Sequence, residues 1–81
     1  MNKSEKAFVE KYKEKYQILR NGYPDFLLID KKSGDALFVE IKTGSNKLSK
    51  GQREMFRALK TYTDIPIGIY RNGILPTLPI A

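Results

Sequence analysis

The first hydrophobic positions of the chain recur in steps of four: Phe8, Tyr12 and Tyr16, flanked by Ala7 and Val9, with lysines and glutamates between them. That period puts the aromatic rings on one face of a helix. Asn2-Lys3-Ser4-Glu5 has the spacing of a capping box, with Ser4 a competing N-cap, and the pattern predicts a helix from about Ser4 to Lys15. The spacing then changes. Gln17–Arg20 is a short strand candidate, closed by the turn pair Asn21-Gly22. Phe26–Ile29 and Ala36–Val39 are uninterrupted apolar runs, which predicts strands covered on both faces. Between them, Lys31-Lys32-Ser33-Gly34 reads as a hairpin loop with Gly34 in the left-handed position.

A helical pattern returns at Leu48-Ser49-Lys50-Gly51-Gln52, where Ser49 and Gln52 have N-cap and N3 spacing. Met55, Phe56, Leu59 and Tyr62 form its predicted apolar face. Ile65–Tyr70 is the next strand, entered through Pro66 and ended by Asn72-Gly73. Ile74–Ile80 is extended, and its prolines confine it to a sheet edge or a tail. The order is α-β-β-β-α-β, with Ile74–Ile80 a candidate last strand. Helices at both ends of a hairpin-rich unit imply an α/β fold, a single α/β/α sandwich spanning residues 1–81.

At 81 residues the chain is short. A domain of this size buries only about 60–65% of its unfolded surface. No run approaches the roughly 20 apolar residues of a membrane span. The charged N-terminus lacks the apolar centre of a signal peptide. The expectation is a soluble, intracellular (cytoplasmic) protein with no membrane partner. Cysteine and histidine are both absent. Disulfides and thiolate zinc sites are therefore excluded, and acid–base chemistry is left to Asp, Glu, Lys, Tyr or a metal-bound water. The net charge is +6, from 15 Lys and Arg against 9 Asp and Glu. That balance suits a polyanion such as nucleic acid, although a lysine-rich surface also serves solubility.

The hairpin carries the candidate chemistry. If Asp30 and Asp35 flank a four-residue loop, Ile29 faces Ala36, Leu28 faces Leu37, Leu27 faces Phe38, Phe26 faces Val39, and Asp25 faces Glu40. Facing side chains lie about 4.5–5.5 Å apart at Cβ. Period-two alternation adds Lys42 to the face of Glu40. Two carboxylates at about 4 Å repel by roughly 4 kcal/mol at an effective dielectric near 20. Lys42 can neutralise one of them, and a divalent cation would satisfy both. The competing view makes Asp25 a strand-end cap and Glu40–Lys42 a surface ion pair, since a bare E-x-K triplet is common.

Three segments in order carry a resemblance: Gly22-Tyr23-Pro24-Asp25, Phe38-Val39-Glu40-Ile41-Lys42 and Leu48-Ser49-Lys50-Gly51-Gln52. Together they resemble the PD-(D/E)XK nucleases, and most closely the stand-alone VRR-NUC type, which overlaps with Holliday-junction-resolvase-like nucleases. The resemblance covers about Glu5 to Tyr70. It implies a restriction-endonuclease-like sandwich with a mixed sheet and a divalent-metal-dependent endonuclease of DNA, working on branched or structured substrates such as junctions or flaps. It also implies that Asp25 and Glu40 bind Mg2+ or Mn2+ with the Ile41 carbonyl, and that Lys42 orients or polarises the attacking water. Gln52 is either a residue beside the site or only the N3 half of a capping box. Glu5 is either the acidic residue that relatives carry on the first helix or a first-turn residue favoured by the helix dipole. Lys47, Lys50, Arg53 and Arg57 are the candidate phosphate contacts, Arg53 and Arg57 being four apart on one helical face. The alternatives are a catalytically silent nucleic-acid-binding module on the same fold and a structural or assembly protein. The apolar end, Ile74–Ala81, is the candidate interface of a homodimer.

Overall fold

The computed structural model describes residues 1–20, 22, 24–44, 47–71 and 73. The apolar segment Ile74–Ala81 lies outside the described residues, and with it the expected last strand and the dimer interface. The elements are α1 (Lys3–Tyr12), β1 (Tyr16–Arg20), β2 (Phe26–Asp30), β3 (Ala36–Lys42), α2 (Lys50–Tyr62) and β4 (Ile67–Arg71), in the order expected. The strands form one mixed sheet in the order β1-β2-β3-β4. The first two pairings are antiparallel, and β3 pairs with β4 in parallel through the α2 crossover.

The hairpin has the register read from its loop. Phe26 pairs with Val39, Leu27 with Phe38, Leu28 with Leu37 and Ile29 with Ala36. The turn is closed by Asp30, whose carboxylate accepts the Lys32 and Ser33 amides at 2.8 and 2.9 Å. Those two amides, Ser33 first, hold the Asp30 carboxyl below the usual carboxylate range. Gly34 follows at φ +79°, a conformation that a Cβ would strain.

Alternation sorts the sheet into two faces. Ile18, Phe26, Leu28, Leu37, Val39, Ile41 and Tyr70 share the α1 side and pack with Phe8, Val9 and Tyr12. Leu28 and Val39 are completely buried there. Phe8 is the centre of this layer: its ring stacks on Phe26 at 5.6 Å and meets Tyr12 and Tyr70 at 4.8 Å each. The opposite face is less covered. Leu27, Ile29, Phe38, Ile67 and Ile69 are half-buried, and Leu19 is exposed.

Several element boundaries differ from the sequence reading, three of them for a plain physical reason. α1 starts one residue early because Asn2, not Ser4, is its N-cap: Asn2 Oδ1 accepts the Glu5 amide at 2.8 Å, and Glu5 Oε1 accepts the Asn2 amide at 3.2 Å. It ends at Tyr12 because Tyr16 belongs to β1, paired with Asp30, while its ring still reaches Tyr12 at 6.3 Å. β4 begins at Ile67 because Pro66 has no N–H for the ladder, although its carbonyl already accepts the Phe38 amide at 2.9 Å. The inward stripe of α2 also shifts. It runs Gln52, Phe56, Leu59, whereas Met55 and Tyr62 are exposed.

Phe8 joins α1, the helix packed on the well-buried face, to the sheet. Truncating a buried phenylalanine costs about 3–5 kcal/mol. A chain of this length has a total stability of about 4–12 kcal/mol. Phe8→Ala is therefore expected to leave the protein largely unfolded or close to it, and Phe8→Leu to be tolerated. Urea melts followed by far-UV circular dichroism check both.

Candidate metal and nuclease site

The antiparallel ladder of the hairpin ends at Phe26 and Val39. Asp25 therefore does not pair with Glu40 as a strand residue, as the register alone suggested. Its side chain continues the ladder instead: Asp25 Oδ2 accepts the Ile41 amide at 2.8 Å. The buried Pro24 precedes it and limits the backbone at this turn. The carboxylate is thereby fixed beside Glu40 and Ile41. In a strand, a residue's N–H and C=O face the same neighbour, so the Ile41 carbonyl looks toward the edge that Asp25 occupies.

Glu40 lies on the α2 face of β3 and is only 3% exposed. Its Oε2 accepts Gln52 Nε2 at 2.8 Å and stands 3.5 Å from Lys42 Nζ. Its Oε1 is buried and has no hydrogen-bond partner among the described residues. Burial, and then the negative charge of Asp25, push the Glu40 carboxyl above the usual range, with Lys42 pulling the other way.

Gln52 joins the parts. Its Oε1 accepts both Lys42 Nζ at 2.8 Å and the Ser49 amide at 2.9 Å, while Ser49 Oγ accepts the Gln52 amide at 3.1 Å. Both lone pairs of the amide oxygen are thus used. The reversed amide would point NH2 at an ammonium and oxygen at a carboxylate, so its neighbours determine the orientation. The two sequence readings of Gln52 hold together: it is the N3 half of the α2 capping box, and it sits in the Glu40–Lys42 pair.

Glu5 Oε1 is engaged in the α1 cap, and the described residues contain no group of three or more acidic side chains able to hold a metal. The acidic part of the site is therefore Asp25 and Glu40. That number suits a small hard cation, which keeps several waters and is bound through one or two carboxylates together with substrate phosphates. The orphaned Glu40 Oε1 is the observation that favours such an occupant, because a buried unpaired carboxylate oxygen is costly. The donor set, all oxygen, fits Mg2+ or Mn2+.

Lys47, Lys50, Arg53 and Arg57 are all exposed. The first three flank the N-terminal end of α2, where Gln52 lies, and Arg53 Nη1 donates to the Leu48 carbonyl at 2.9 Å. Arg57 is a turn further along. A cation that the sequence reading passed over is Arg71, the register partner of Lys42. Placing the strand end at Tyr70 hid it; a parallel pairing with the E-x-K strand was the signal that would have found it.

The VRR-NUC domain model matches residues 1–70. The chain belongs to the VRR-NUC domain family, a PD-(D/E)XK-like nuclease domain family. No curated protein and no solved structure gives a significant match. The family is nuclease-type, with nucleic acid as its partner. Among the described residues no helix is long and apolar enough to cross a membrane.

The raised Glu40 carboxyl gives a signed pH effect in EDTA-treated protein. The unfolded chain releases this proton near the ordinary glutamate value, about 4.3, and the folded chain at a higher pH. Glu40 therefore contributes stability at low pH that is lost as pH rises through its folded value. The stability of Glu40→Gln minus that of wild type is expected to increase across that window and to level off above it. Paired urea melts at a series of pH values measure the difference; a flat curve would refute the burial of a charge at Glu40.

Proposed function

We propose that the protein is a divalent-metal-dependent endonuclease that hydrolyses DNA phosphodiesters, with branched or structured DNA as its substrate. The observation that carries the reading is the buried Oε1 of Glu40, without a partner among the described residues, next to Asp25 and on the strand that also positions Lys42. Asp25, Glu40 and the Ile41 carbonyl would hold Mg2+ or Mn2+. When bound, the ion acidifies a water and offsets charge on the scissile phosphate. Lys42 is held by Gln52 and Glu40 with its ammonium at this site, where it orients the water or supports charge developing on the phosphoryl oxygens. Gln52 keeps both in place from the start of α2. Lys47, Lys50, Arg53 and Arg57 supply sequence-independent phosphate contacts. The preference for branched DNA rests on the family likeness. A DNA-cleaving enzyme works where DNA is, so we place it in the cytoplasm.

Cleavage of a plasmid and of a four-way junction, with Mg2+ or Mn2+ against EDTA, is the direct test. Activity that persists in EDTA would reject the metal. Asp25→Asn, Glu40→Gln and Lys42→Ala are each expected to lower the cleavage rate by about 10²–10³-fold or more, the loss typical of one electrostatic group in a site. Lys42→Ala is expected to keep its DNA affinity. Calorimetric titration of Mn2+ is expected to show binding that Asp25→Asn and Glu40→Gln each weaken.

A homodimer through Ile74–Ala81 is the assembly we propose, because two sites related by a two-fold axis suit a branched duplex. Light scattering of the full chain and of a chain ending at Gly73 checks it: a dimer is expected for the first and a monomer for the second.

A further inference from the structure

We propose that Arg71 is a phosphate-binding residue of the site, gripping the DNA strand beside the scissile phosphate. The inference rests on the nuclease reading above and extends it to a residue that neither the motifs nor the basic stripe of α2 includes.

Three observations meet at Arg71. The first is register. Arg71 is the Cα partner of Lys42 in the parallel β3–β4 pair. Partners in a parallel pair project to the same face, and the preceding pair, Ile41 and Tyr70, both pack into the α1 layer. Lys42 and Arg71 therefore share the opposite face, the one that carries Glu40 and Gln52. The second is position. Both residues end their strands, and the carboxyl edge of parallel strands is where open α/β sheets take their ligands. Adjacent strands are about 4.8 Å apart, so the two cations stand on neighbouring rails of that edge.

The third is charge. The described residues contain two ion pairs, Lys13–Glu10 and Lys42–Glu40. Arg71 is in neither, although it is half-buried. Its one hydrogen bond among the described residues runs from Nη1 to the Gly44 carbonyl at 2.9 Å. This bond anchors the guanidinium against the turn that follows β3, where Gly44 has φ +58°. The rest of the five-donor fork is left for another acceptor. Lys42 differs: its ammonium is already turned inward to Gln52 and Glu40. A half-buried guanidinium, fixed at one nitrogen and without a carboxylate, is suited to bidentate capture of a phosphate. A purely structural clasp on Gly44 would need one neutral donor and no charge.

That contrast supplies the test. The protein is mixed with a labelled DNA duplex in EDTA, and affinity is measured by fluorescence anisotropy over a range of salt concentrations. Arg71→Gln keeps a shorter side-chain N–H donor and removes the charge; Arg71→Lys keeps the charge and removes the fork. Arg71→Gln is expected to bind about tenfold or more weakly, with the slope of log K against log salt reduced in magnitude by about 1. Arg71→Lys is expected to keep the wild-type slope with a smaller loss of affinity. Equal affinity and slope in Arg71→Gln and wild type, with wild type binding and cleaving DNA, would overturn the assignment while leaving the nuclease reading intact. A wild-type protein that binds no DNA would overturn the nuclease reading and, with it, this one. Thermal melts of both variants accompany the titration: a lowered melting temperature with an unchanged slope identifies a structural clasp only and also overturns the proposal.

Discussion

The arrangement of this small domain depends on one buried carboxylate. Glu40 is placed in the sheet's interior, between the layers, on a strand whose other residues are apolar except for its last, Lys42. Water is largely excluded there, so its charge must be met by protein groups. Gln52 and Lys42 meet one oxygen, and the other has no partner among the described residues. Each neighbour is in turn committed by that requirement. Gln52 must sit at the first turn of α2, which draws the helix start down onto β3. Lys42 must turn inward, which takes it away from the surface. Asp25 is held by the amide of Ile41, the residue next to Glu40 in the strand. Asp25 and Lys42 act on Glu40 with opposite sign. The site thus sets two carboxylates against one ammonium, with one buried oxygen to spare among the described residues.

The two faces of the sheet divide the labour. On the α1 side the aromatic cluster around Phe8 buries the sheet tightly, and of the site residues only Ile41 packs there, contributing its backbone to the site. On the α2 side the packing is looser, and the polar residues gather at the carboxyl edge. Most of the apolar burial that holds the fold together is therefore spatially separate from the groups that would do chemistry. This separation lets an 81-residue chain carry a buried charge at all. A core resting on both faces equally would have the cost of Glu40 at its centre.

Local spacing was enough for the parts of the molecule whose partners lie within a few residues. The hairpin register followed from the Asp30–Asp35 loop, because alternation and a four-residue turn leave one pairing that keeps both apolar runs aligned. Ser49 and Gln52 were legible as a capping box, and Asp25, Glu40 and Lys42 as one group, for the same reason. The overall layering followed from the order of the periods.

What the tertiary structure decided were the contacts between elements distant along the chain. Glu5 and Asn2 close a cap with each other, which engages one oxygen of the first helix's acid. Gln52 proved to serve the cap and the Glu40–Lys42 pair at once, because its amide oxygen has two lone pairs and the crossover sets α2 directly over β3. Arg71 became a neighbour of Lys42 only through the parallel pairing of β3 with β4, across 29 positions of chain. The sequence by itself determined which segments are helix or strand and how the hairpin aligns, since those depend on forces between near neighbours. That Gln52 joins the Glu40–Lys42 pair and that Arg71 stands beside Lys42 depended on how the layers and strands assemble, and no local period encodes that.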